Sequence, residues 1–137
     1  MDINKIYRSN NTPLFYACSS GNENLVKYII DYGVDIQKEN FSGETPLFNA
    51  CKSRNENIVK YLIGHGADIN KENLNDETQL FNVCLSGNEN LVKYLIEQGV
   101  DINKESNKGE APLFNSCSSG NENLVKYLIG NIVFLFF

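Results

Sequence analysis

Ser86-Gly87-Asn88-Glu89-Asn90-Leu91-Val92-Lys93-Tyr94-Leu95-Ile96 returns unchanged at Ser119–Ile129, an offset of 33 residues. The rest of the chain keeps the same step. Its four cysteines stand at Cys18, Cys51, Cys84 and Cys117. Thr12-Pro13-Leu14-Phe15 recurs as Thr45-Pro46-Leu47-Phe48, Thr78-Gln79-Leu80-Phe81 and Ala111-Pro112-Leu113-Phe114. Asp35-Ile36 recurs as Asp68-Ile69 and Asp101-Ile102, and Asp2-Ile3 falls in phase. A fixed period of this length marks stacked units, each covering the apolar face of the next.

Each unit reads as two short helices and an extended finger. Thr12 is suited to an N-cap and Pro13 to the first helical position, where proline's missing N–H is not needed. Leu14, Ala17 and Cys18 then form an apolar stripe at i, i+3 and i+4. Gly21 ends that helix, because glycine takes the left-handed conformation without penalty. Asn22 caps a second helix, and Glu23 lies favourably at its positive end. Leu25, Val26, Ile29 and Ile30 are its expected buried side, Lys27 its wet side and Gly33 its stop. Neither helix reaches the roughly 12–15 residues that an isolated helix needs in water, so both depend on stacking.

The motif residues resemble the ankyrin repeat. Thr45-Pro46-Leu47 matches that family's Thr-Pro-Leu, Ala50 its small inner-helix residue, and Gly66-Ala67-Asp68-Ile69-Asn70 its Gly-Ala-Asp-Val-Asn ending. The resemblance runs through Ile129 and implies an all-α repeat solenoid, an ankyrin-repeat stack of helix-turn-helix pairs with short hairpin fingers. It implies repeats over 12–44, 45–77, 78–110 and an incomplete 111–130, after a repeat tail at 1–11 and before a divergent apolar tail at 131–137. It also implies a non-enzymatic module that binds a protein or peptide on its fingers and inner helices. Where the family has His after Thr-Pro-Leu, this chain has Phe15, Phe48, Phe81 and Phe114. A ring packed between units is expected to replace the family's Thr–His hydrogen bond.

Composition narrows the partners. The net charge is −5 with a pI near 4.8, and the two signs are interspersed. A nucleic-acid binder needs a basic stripe, and none is present. An anionic membrane surface is disfavoured for the same reason. The opening Met1-Asp2-Ile3-Asn4-Lys5 carries no apolar run of a secretory signal, and no stretch approaches the roughly 20 apolar residues of a spanning helix. The expected setting is the cytoplasm, or the nucleus, rather than the secretory route.

Chemistry has no obvious seat in this sequence. His65 occupies the place of Tyr32, Gln98 and Asn131 in the other units, which reads as a solvated position. No Cys or His pair lies at metal-ligand spacing. The cysteines fall on the buried stripe, and stacked helices about 8–10 Å apart exceed the roughly 7 Å that a disulfide bridges. No catalytic residue, metal or cofactor is therefore expected. The Tyr28, Tyr61, Tyr94 and Tyr127 series reads as packing.

Positions that vary between units are free for recognition. Opposite the core on the first helices stand Tyr16, Asn49 and Lys52, Asn82 and Leu85, and Asn115. At the finger tips the aligned series is Arg8, Phe41, Leu74 and Asn107. Apolar residues ringed by Asn, Ser and Lys are the pattern of a binding hot spot.

The ends break the pattern. Met1 aligns with Val34, Ala67 and Val100, as if the chain opened inside a unit. Ile132 replaces Gly33, Gly66 and Gly99, and an apolar run follows to Phe137. Such a run is prone to self-association. The chain reads as a piece of a longer array, with a regulatory or targeting segment of a larger protein as the alternative function. A complete small protein with covered ends, or a truncated gene product, are the other readings.

Overall fold

In a computed structural model of the chain, residues 11–136 are described, with side chains described as far as Ile132. Among these residues there are eight helices and no strand. The inner helices are α1 (Pro13–Ser20), α3 (Pro46–Lys52), α5 (Gln79–Ser86) and α7 (Pro112–Ser119). The outer helices are α2 (Glu23–Asp31), α4 (Glu56–Gly64), α6 (Glu89–Glu97) and α8 (Glu122–Phe136). Inner helices pack in the order α1, α3, α5, α7, and each lies against the outer helix that follows it. The result is an all-α repeat solenoid.

Local chemistry sets the helix ends. Asn22, Asn55, Asn88 and Asn121 each accept a hydrogen bond from the backbone N–H three residues on, at 3.0–3.2 Å. The threonine caps differ from expectation: Thr12, Thr45 and Thr78 hold extended backbone but make no side-chain cap bond. The Thr12 and Thr78 hydroxyls are buried without a partner. Proline's fixed φ in α1 and α3, and the fold of the finger in all three, start these helices without a capping hydroxyl. Gly21, Gly87 and Gly120 end inner helices at φ 71–72°. Arg54 takes the same left-handed turn at φ 62° without glycine's freedom, and its guanidinium bonds the Ser86 carbonyl at the end of α5.

Burial depends on which neighbour covers each layer. Phe15, Phe48 and Phe81 are sealed beneath the next unit, each ring contributing about 1.5–3 kcal/mol. Phe114 has no such cover and is 57% exposed. Cys117 is exposed likewise, whereas burial pushes the thiols of Cys18, Cys51 and Cys84 up to about 12. The reading of all four cysteines and all four phenylalanines as buried therefore fails at the last layer. At the first layer, Leu25 is 41% exposed where Ile58, Leu91 and Leu124 are sealed by the preceding unit.

The tyrosine series is likewise corrected. Tyr61, Tyr94 and Tyr127 are half-buried, each with the ammonium of Lys27, Lys60 or Lys93 from the unit before at 5.2–5.5 Å from the ring centre. Tyr28 is an exposed ring rather than a packing residue. Asparagine amides add fasteners between units, Asn55 Nδ2 to the Gly21 carbonyl at 3.2 Å and Asn121 Nδ2 to that of Gly87 at 3.1 Å.

The apolar tail continues a helix. α8 runs on to Phe136, and Ile132 packs against the core. Without a glycine at 132 the chain has no reason to leave the helix there.

Candidate binding face

The fingers are built by one side chain each. Asn40 Oδ1 accepts from the N–H groups of Ser42 and Glu44 at 2.9 and 3.0 Å. Asn73 repeats this with Asn75 and Glu77 at 2.9 and 3.1 Å, and Ser106 Oγ with Lys108 and Glu110 at 3.2 and 3.4 Å. Successive fingers are joined by Leu74 N–H to the Ser42 carbonyl and Asn107 N–H to the Asn75 carbonyl, both 2.9 Å. Ion pairs Lys71–Glu39 (2.8 Å) and Lys104–Glu72 (2.7 Å) reinforce the same joins. Glycine suits position 43, where φ is 73° and a Cβ would stand 3.1 Å from the Leu74 nitrogen, and Asp76 takes the same left-handed turn one finger on at φ 60°.

This tight join displays the tips. Phe41 and Leu74 are 67% and 70% exposed, and Asn107 continues their row. Lys52 on α3 reaches the base of the first finger, pairing with Glu44 at 2.7 Å, so fingers and inner helices share one face. Leu85 occupies the place of Lys52 one unit on and is 53% exposed.

The remaining sequence-selected residues divide. Arg8 lies outside the described residues. Asn49 spends its amide on the Phe15 carbonyl and Ser19 hydroxyl, both at 3.2 Å, and Asn115 spends its own on the Phe81 carbonyl at 3.0 Å. Both therefore fasten inner helices together, while Asn82 is half-buried between them. Tyr16 is exposed but lines a groove of the first layer with Pro13, Ala17, Ser20, Leu25 and Ile29. Phe41, Leu74 and Asn107 are thus exposed on successive fingers, Lys52 and Leu85 on successive inner helices, and Tyr16 on α1.

Sequence reasoning passed over the glutamates. Glu44, Glu77 and Glu110 recur at the finger bases in the 33-residue register. It also passed over Phe114, which with Glu110, Leu113, Cys117 and Ser118 lines a concavity of the last layer. The period carried the signal for the glutamates, whereas for Phe114 it pointed to a buried ring like Phe15, Phe48 and Phe81.

Other surfaces carry little chemistry. His65 is exposed and stacks on Tyr61, with ring centres 4.1 Å apart. Among the described residues no three His, Cys, Asp or Glu side chains are grouped as metal ligands. None of the described helices is long and apolar enough to cross a membrane.

The family model described as ankyrin repeats (3 copies) matches residues 1–73 and 70–134. No curated protein matches the chain significantly. Matched over nearly its whole length, the chain belongs to the ankyrin-repeat family.

Proposed function

We propose that the chain is a non-catalytic module that holds a protein or peptide partner on the face formed by its fingers and inner helices. Ankyrin repeats are generally protein–protein interaction modules. The observation that carries the proposal is the display of Phe41, Leu74 and Leu85 at exposures of 53–70% on a rigidly joined frame. Large apolar side chains held out into water on a backbone already fixed by hydrogen bonds can be buried by a partner with little further ordering of the backbone. The setting is the cytoplasm or nucleus, where three unbridged buried thiols are stable.

The test is the triple substitution Phe41→Ser, Leu74→Ser and Leu85→Ser in affinity capture from extract, with circular dichroism as the control on folding. Partner recovery falls while helicity and melting temperature hold. A melting temperature that collapses instead places these side chains in the core and refutes the face. Size-exclusion chromatography of the same samples reads any self-association through residues 131–137.

A further inference from the structure

The three glutamates at the finger bases are equivalent in the chain but not in their partners. Glu44 is buried and its carboxylate is met by the Lys52 ammonium at 2.7 Å. The residue in the place of Lys52 is Leu85 for Glu77 and Ser118 for Glu110. Among the described residues neither Glu77 nor Glu110 has a Lys, Arg or His nitrogen within 4.0 Å. The one side-chain bond Glu77 makes there is from Asn73 Nδ2, at the long distance of 3.5 Å. The face has cations of its own, but most are engaged elsewhere. Lys71 and Lys104 pair with Glu39 and Glu72, and Arg54 is bonded to the Ser86 carbonyl. Lys108, at the last finger tip, is exposed.

Apolar side chains flank the two carboxylates. Leu85 holds relative to Glu77 the place that Lys52 holds relative to Glu44, Leu74 lies three residues before Glu77 in the same finger, and Phe114 lines the same concavity as Glu110. Glu77 is half-buried and Glu110 exposed, and among the described residues each lacks the cation that the buried Glu44 has.

We propose that the partner is a basic, apolar-containing peptide segment whose Lys or Arg side chains take, at Glu77 and Glu110, the place that Lys52 takes at Glu44. This rests on the binding face proposed above and adds the chemistry of its occupant. Adjacent layers of packed helices lie about 8–10 Å apart. A segment in the polyproline-II conformation rises about 3.1 Å per residue and turns once in three residues, so it spans that distance in three residues and presents positions i and i+3 on the same side. Two cationic residues three positions apart, with an apolar residue between them to meet Leu85, match the face. On a helix rising 1.5 Å per residue the match is about seven positions. An acidic segment would place its carboxylates against Glu77 and Glu110 and is rejected.

The experiment is selection of a random linear peptide library on the full 137-residue chain, followed by fluorescence anisotropy of the enriched peptides at low salt. The expected winners carry paired Lys or Arg with an intervening apolar residue. Their affinity drops about 1.5- to five-fold for each of Glu77→Gln and Glu110→Gln, the range of solvent-accessible ion pairs, and drops again with added salt. Leu85→Lys, which supplies Glu77 with an internal cation, weakens them as well. Winners that lose binding in the triple serine variant but lack basic residues, or ignore Glu77→Gln and Glu110→Gln, overturn the basic partner and leave the face standing. Winners indifferent to the triple serine variant overturn both. A selection that enriches no peptide overturns the claim of a linear segment.

Discussion

Gln79 stands where Pro13, Pro46 and Pro112 open the other inner helices, and replacing it with proline should stabilise the protein. The side chain is fully buried, and its Oε1 has no hydrogen-bond partner. Its Nε2 reaches the Asp68 carbonyl only at 3.5 Å, a marginal bond. Removing an unsatisfied buried acceptor recovers about 1 kcal/mol, and proline restricts the unfolded chain for about 0.4–1 kcal/mol more. Against this stand the marginal amide bond and the smaller volume of proline, together about 1 kcal/mol. The backbone is already suited. Thr78 has φ −90° and ψ 175°, close to Thr45 before Pro46 at φ −94° and ψ 170°, and this extended form is what a residue before proline requires. The net gain is about 0.4–1 kcal/mol, or roughly 1–5 °C in melting temperature for a chain of this size. Thermal unfolding followed by far-ultraviolet circular dichroism, with a urea titration beside it, measures both. Gln79→Ala is the control, since it removes the orphan acceptor without the proline constraint, and it should fall between wild type and Gln79→Pro. A lower melting temperature for Gln79→Pro would refute the reasoning, and would mean that the amide, not the ring, fits this site.

Other outcomes follow from the same structure. Arg54→Gly and Arg54→Ala both lose the guanidinium bond to Ser86, but only glycine relieves the left-handed strain at φ 62°. The glycine variant should be the more stable by about 1 kcal/mol in urea unfolding. With Ellman's reagent on the native protein, Cys117 should react fast and the buried Cys18, Cys51 and Cys84 slowly, so that Cys117→Ser removes the fast phase. The buried thiols titrate near 12 rather than 9, so their stabilisation is whole below pH 9 and is lost as pH rises from there toward 12. Melting temperature should fall less steeply between pH 9 and pH 10.5 in Cys51→Ala than in wild type. Deleting the residues after Gly130 removes Ile132 from the core and the Asn131–Tyr127 bond of 2.8 Å, and should lower the melting temperature by a few degrees.

The period was legible because the same residues recur at an offset of 33, and the caps because they are local. An asparagine before Glu23, Glu56, Glu89 and Glu122, and glycine after a helix, each act within a few residues of themselves. What was not legible depends on a neighbouring layer. Phe81 and Phe114 sit in nearly the same local sequence, yet one is sealed and the other open. Leu25 and Leu91 differ in the same way for the opposite reason, the layer before rather than the layer after. The lysine–tyrosine contacts join residues 34 apart, such as Lys27 and Tyr61, and no helical or strand period points to such a pair. On the binding face, the exposed Phe41, Leu74 and Leu85 could be read from departures in their columns. The amides of Asn49 and Asn115 could not, because in sequence an asparagine that fastens helices looks like one that faces water.

The fasteners described above, ring to ammonium, amide to carbonyl and finger to finger, all join one layer to the next. Mechanically the molecule is therefore a series of springs with the same kind of joint repeated. Compliances in series add, so a small tilt at each joint sums along the stack while every joint keeps its bonds. Force applied to one end passes through each interface in turn and finds no parallel strut to bypass it. The weakest joint then sets the load the whole can carry. A ligand that bridges several fingers would act as a brace on the side opposite the lysine–tyrosine contacts, converting a bendable rod into a stiff one.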